Sequence, residues 1–372
     1  MRLSPFALLP FACLSIFPAP PAFANPAAGV RADEAQLARA GDREAAGLEP
    51  ESALPPAPAA AASRSPEAHR RALELLGTRG LLLIPESTND RVMAFDPVSG
   101  DLVDADFVPA DPTHLNTPIH AVLNTCTVPT ILISDQLNDA VLAYDLDGIY
   151  LGVFAPAGGV NLAILDNVRG IWARQGYVFL VTVGAGPNDD AVAGFYPQSG
   201  ASVGNFISNG AAGLASPFAI HVRFDLADIL VGGSDSDIIH RFDFAGAPLP
   251  DLAPILNFPE QIATAGNGNV LVADFLGTQT GVVELSPAGV LIDVHTAPGV
   301  SGNRGVYELP GGTILTTTAD GVFEIDRAGN LVDTKIASVG ARFIEFVQVD
   351  PDLIFKDGFE IGLVSICWVS VL

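Results

Sequence analysis

Lysine is almost missing from this sequence: Lys335 and Lys356 are the only two in 372 residues. Lysine and arginine together number 18 against 42 aspartates and glutamates, so the formal net charge is −24. A surface this acidic repels a phosphate backbone, which argues against nucleic acid as a partner and favours solubility and cations. Cysteine is scarce as well, three in all, with no paired spacing of the kind that holds zinc. There is no G-x-S-x-G turn, no H-E-x-x-H helix and no glycine-rich phosphate loop, so the common signatures of hydrolases, zinc proteases and nucleotide-binding enzymes are absent. Beyond the N-terminus no apolar run is long enough to span a bilayer.

What the chain has in quantity is turn chemistry. Its 37 glycines and 29 prolines, with 49% hydrophobic residues, suit a β-rich globular protein with many turns. Residues 131–154 read ILISDQLNDAVLAYDLDGIYLGVF: a short apolar strand, a polar loop, a strand stopping at Asp, a turn with Gly, and a third strand. The end of that middle strand recurs at 92–100, 141–148, 192–200, 239–246, 282–289 and 322–329. The closing residues Asp96, Asp145, Tyr196, Asp243, Ser286 and Asp326 lie 49, 51, 47, 43 and 40 apart by subtraction. A period in the forties with all-β content predicts a six-bladed β-propeller of four-stranded antiparallel blades.

The first 24 residues carry one Arg, then an apolar run ending in Ala22-Phe23-Ala24, and read as a signal peptide. The expected location is therefore secreted or periplasmic. Residues 25–71, rich in Ala and Pro, form an expected flexible spacer; 72–350 form the propeller and 351–372 a tail. Cleavage of the leader leaves Cys126 and Cys367, which could pair in an oxidising compartment. The strand that closes the ring is either within 341–350 or within 72–76, and residues 72–80 could instead form a helix or an outer strand.

Residues 259–286, PEQIATAGNGNVLVADFLGTQTGVVELS, resemble an NHL-type repeat, P-x-x-I-A-x-x-x-x-G-N-V-x-V-A-D, and the copy at residue 131 is similar. The resemblance covers roughly residues 76–350 and implies a six-bladed propeller of the broad group that holds NHL proteins, gluconolactonase-like hydrolases and streptogramin-lyase-like proteins. That group mixes scaffolds and enzymes, so the fold leaves the function open. Residues 352–368 resemble a Phe-x-Asp-Gly-Phe-Glu segment that ends many secreted proteobacterial proteins, departing from it at Ile361-Gly362 and Ile366-Cys367-Trp368.

Aligning the innermost strands on Ile119, Ile171, Ile220, Ile262, Val306 and Ile344 gives candidate site residues. Two positions earlier stand Thr117, Arg169, Phe218, Glu260, Arg304 and Arg342, a ring whose three guanidiniums could grip a carboxylate or phosphate, or could instead bond the acidic loops. His120 and His221 follow the aligned position by one and could serve as a base or pack within a blade. The acidic loops, Asn89-Asp90, 135–139, 188–190, 234–237, Asp274 and Asp320, could hold calcium or could fix their own backbones. A gluconolactonase-like site needs Glu, Asn and Asp on a metal, and only Glu260 falls on the aligned ring. The expected function is a non-catalytic, monomeric propeller binding a small molecule, a peptide or an envelope protein at one face, with no cofactor. The alternative is a metal-dependent lactonase-like hydrolase or lyase working at the channel mouth through His120 or His221.

Overall fold

Each blade is a short antiparallel meander, and its strand order follows from the repeat. The computed structural model describes residues 64–126, 128–174, 177–254, 256–276 and 280–349; the leader, most of the spacer and the tail expected above lie outside them. A helix, α1 (Pro66–Leu76), precedes the first blade, which holds β1 (Leu81–Glu86), β2 (Arg91–Phe95) and β3 (Leu102–Val108). The second blade holds β4 (Pro118–Asn124), β5 (Thr130–Asp135), β6 (Ala140–Tyr144) and β7 (Tyr150–Ala155). The third holds β8 (Val168–Trp172), β9 (Phe179–Val183), β10 (Ala191–Phe195) and β11 (Ser202–Ile207). The fourth holds β12 (Pro217–Arg223), β13 (Asp228–Gly233), β14 (Ile238–Asp243) and β15 (Pro248–Ala253). The fifth holds β16 (Pro259–Thr264), β17 (Val270–Asp274), β18 (Gly281–Leu285) and β19 (Leu291–His295). The sixth holds β20 (Gly305–Glu308), β21 (Ile314–Thr318), β22 (Gly321–Ile325) and β23 (Leu331–Ala337).

The last strand, β24 (Glu345–Val347), leaves the sixth blade and pairs with β1, placing Leu81 opposite Val347 and Leu83 opposite Glu345. The first blade is thus built from both ends of the chain, which removes an exposed edge at the seam. Of the two closing strands the sequence allowed, the C-terminal one does the work. Residues 72–76 are helical, so the expected boundary at 71/72 falls inside α1. The reason is local. Ser65 caps the helix by accepting from the Ala68 N–H at 3.3 Å, Pro66 sits in the first turn, and His69, Ala72 and Leu76 share the buried face. That face packs with Phe107, Val108 and Tyr144 in the core between the first two blades.

Second and third strands are largely apolar and are buried along all or nearly all of their length in the second, third and fifth blades. Both faces of each sheet press on neighbouring blades, so alternation is lost there. It is the outer strands β11, β19 and β23 that face solvent.

The acidic loops join one blade to the next. Asp90, Asp139, Asp190 and Asp237 all sit at positive φ, between 52° and 56°. Each accepts from the backbone N–H of a residue just before the next inner strand: Thr117 at 2.9 Å, Asn167 at 2.7 Å, Ser216 at 2.6 Å and Phe258 at 3.1 Å. Those four donor residues are left-handed too, so two short turns lock each other. Among the described residues, no group of three or more His, Cys, Asp or Glu is placed to hold a metal ion. None of the described helices is long and apolar enough to cross a membrane. Cys126 is disulfide-bonded, and the chain's other cysteines, Cys13 and Cys367, both lie outside the described residues.

Candidate functional site

Inner strands start at the face that carries the acidic loops and end at the opposite face. The six residues singled out from the sequence therefore divide between two levels of the channel. Arg169, Glu260, Arg304 and Arg342 stand at the start and are buried there. Arg169, only 2% exposed, donates to the Ser216 Oγ at 2.7 Å and the Asn167 Oδ1 at 3.2 Å, and lies 4.6 Å over the Phe218 ring. It ties the third blade to the fourth. Arg342 donates through Nε to the Ser87 Oγ at 3.0 Å, tying the closing segment to the first blade, while the Arg304 guanidinium lies over Phe275.

Just inside this level the axis is plugged. Ile119, Phe218, Phe258 and Phe343, from three blades and the closing segment, share one apolar cluster, with Phe218 and Phe343 centroids 5.9 Å apart. The Phe343 N–H donates to the Ile119 carbonyl at 3.2 Å across the same level. Gln261 reinforces the plug's far side. Its Oε1 accepts from the Val306 and Ile344 N–H groups at 2.9 and 2.8 Å, and its Nε2 donates to the Ile344 carbonyl at 2.6 Å.

Beyond the plug the channel opens into a cavity of 240 Å³. Its wall contains one residue from the same place in every inner strand: His120, Trp172, His221, Ala263, Tyr307 and Glu345. These stand one position after the aligned Ile119, Ile171, Ile220, Ile262, Val306 and Ile344. The structure thus brings His120 and His221 together and adds Trp172, Tyr307 and Glu345, which the sequence reading passed over. The signal was present in the same alignment, read at a different offset.

Five of the six ring positions carry large side chains, and Ala263 is the gap. Through that gap the cavity meets a second hollow of 620 Å³ between the fifth and sixth blades, which shares Ala263, Thr264 and Tyr307 and continues along Leu309 and Pro310. The polar groups are oriented. His120 Nδ1 accepts from the Ile171 backbone N–H at 3.2 Å, so its proton sits on Nε2, which faces the Glu345 Oε2 at 3.2 Å. His221 Nε2 pairs with the Thr264 hydroxyl at 2.8 Å, and burial among the inner strands pushes its pKa down to about 4. Burial also raises the Tyr307 hydroxyl, so that group stays protonated. The ring therefore sets one acidic side chain among aromatic and imidazole groups.

The fold defines a six-bladed propeller with a channel closed at one level and open as a lined pocket at the other. No protein-family model and no curated protein matches the sequence. Solved structures do match the shape. A chain in the crystal structure of a nidogen/laminin complex aligns with a TM-score of 0.56 at 15% identity, covering 73% of this chain and 99% of that one. A protein of unknown function from Bacteroides caccae aligns with a TM-score of 0.51 at 14% identity, covering 73% and 99%. A gluconolactonase candidate aligns with a TM-score of 0.50 at 14% identity, covering 63% and 86%. Likeness at this level of identity establishes the propeller fold alone.

Proposed function

We propose that this protein is a non-catalytic binding propeller that seats a small ligand in the pocket formed by His120, Trp172, His221, Ala263, Tyr307 and Glu345. The observation that carries the reading is the ring itself: one residue per blade, plugged behind by Phe218 and Phe343 and open at Ala263. Concave pockets that combine apolar side chains with a few oriented polar groups are the usual form of small-molecule sites. Binding is favoured over catalysis because both ring nitrogens of His120 are engaged, and an imidazole as depressed as that of His221 is a weak base near neutrality. We place the protein outside the cytoplasm, secreted or periplasmic, on the strength of the leader-like residues 1–24.

Trp172 provides the test. The chain has two tryptophans, and Trp368→Phe leaves Trp172 as the only indole. A small aromatic ligand seated in the pocket is expected to change Trp172 emission saturably. Ala263→Phe, which fills the gap, is expected to weaken that response at least tenfold while leaving the melting temperature nearly unchanged. An equal response in the Ala263→Phe protein would remove the pocket as the binding site.

A further inference from the structure

From the chemistry of this ring we infer that the ligand is an organic ammonium: its charged head is held by the Glu345 carboxylate inside the ring, and its apolar body leaves through the Ala263 gap. The inference rests on the pocket reading above and specifies its ligand class. Four observations converge on it.

The first is the carboxylate. Glu345 is the only acidic member of the ring, and its side chain is 37% exposed while His120, its partner, is 6% exposed. One of its oxygens meets the His120 Nε2–H, and that contact holds the group in place in the pocket wall. A carboxylate oriented this way accepts N⁺–H donors in short, charge-assisted hydrogen bonds.

The second is the remainder of the ring. Trp172 and Tyr307 supply aromatic side chains to the same wall, and aromatic side chains around a carboxylate are a usual means of holding an ammonium out of water. The state of His221 matters as much. A protonated His221 would repel the ligand and compete for Glu345, and its burial keeps it unprotonated. Arg223, the nearest guanidinium on the same strand, does not compete either. It is bound bidentately by Asp228, Nε to Oδ1 at 2.8 Å and Nη2 to Oδ2 at 2.6 Å.

The third is the exit. Where the other blades place large side chains, Ala263 leaves an opening into the hollow lined by Thr264, Tyr307, Leu309 and Pro310, with Asn267 and Glu308 among its polar members. That hollow gives an apolar body somewhere to lie while the head stays in the ring. The fourth is the field of the whole molecule, whose net charge of −24 draws cations and repels anions.

Three probes that share a phenylethyl body separate the possibilities: 2-phenylethylammonium, 2-phenylethanol and 3-phenylpropionate, each titrated into the Trp368→Phe chain with Trp172 emission as the readout. The ammonium is expected to bind about tenfold or more tighter than the alcohol, with the carboxylate weakest. Glu345→Gln retains an acceptor for the His120 N–H, so the fold is expected to persist by melting temperature. In that variant the ammonium should fall to the alcohol's affinity while the alcohol is unchanged. If the alcohol binds as well as the ammonium, or if the preference survives Glu345→Gln, the ammonium assignment is overturned and the pocket stands. If none of the three probes moves Trp172 emission up to roughly 10 mM, the pocket reading falls, and the ammonium with it.

Discussion

Replacing Asp228 by alanine is expected to cost roughly 3–5 kcal/mol of folding stability, the range seen when one partner of a buried ion pair is removed. Asp228 lies fully buried in the fourth blade, at the hairpin between β12 and β13. Both of its oxygens are used by Arg223, and Arg241 adds a third contact, Nε to Oδ2 at 2.9 Å. Arg223 also donates to the Pro287 carbonyl at 2.9 Å, so the cluster staples the fourth blade to the fifth. Without Asp228 the Arg223 guanidinium remains desolvated with one carbonyl for company. Replacing Arg223 and Asp228 together with apolar residues of similar volume is expected to recover most of the loss, because the penalty belongs to the orphaned charge. Denaturant midpoints of the two proteins check this. A loss below about 1 kcal/mol for Asp228→Ala would show that water reaches the pair.

The second large effect is a fall in stability between pH 6.5 and 8.5. Burial pushes Asp135 up to about 7 and Asp274 up to about 8, only partly offset by N–H groups of Asn116 and Asn138 for the first and Asn257 for the second. Both carboxyls are fully buried at the acidic-loop face, and one oxygen of Asp274 has no hydrogen-bond partner among the described residues. In the unfolded chain each ionises near pH 4, so above that pH the folded protein holds more protons. Their favourable contribution is therefore complete at low pH and is lost as pH rises through 7 and 8. Half-buried His221 and buried His240 work in the opposite sense, because their lowered values mean that stability is lost as pH falls below about 6.5. The two slopes oppose each other below 6.5, and only the aspartates act above it. The expected loss from pH 6.5 to 8.5 is about 2–3 kcal/mol, or a melting temperature lower by roughly 5–10 °C. Asp135→Asn with Asp274→Asn should flatten that segment of the curve. A wild-type curve already flat there would show that both carboxyls ionise normally.

The blades themselves were legible because each is a copy. Strand ends at Asp96, Asp145, Asp243 and Asp326 mark turns that the structure builds at those places, and five of the six aligned residues, all but Ile344, lie inside inner strands. Residues 66–76 were harder to read. ALELLGTRGLLLIP looks like the opening of the sixth blade, and only the Ser65-Pro66-Glu67 start with the His69, Ala72, Leu76 spacing marks a helix.

The pocket was half legible. His120 and His221 came from the right register, while attention to charge favoured the register of Arg169, Arg304 and Arg342, two residues before the aligned position. Spacing along a strand does not reveal which register faces an open stretch of channel. That is decided across blades, by Phe218 and Phe343 meeting at the axis and by Ser216 and Ser87 receiving the arginines. Nor does a lone Ala263 look like a feature until five larger neighbours surround it.

The central claim is that the ligand sits in this ring, and crystals soaked in 2-phenylethylammonium and in neutral aromatic fragments test it most directly. The account predicts density enclosed by His120, Trp172, His221, Tyr307 and Glu345, with the ammonium nitrogen at hydrogen-bonding distance from the Glu345 carboxylate and the aromatic body passing Ala263. Density gathered only at the opposite face, around Arg169, Arg304 and Arg342, with the ring left empty, would contradict it.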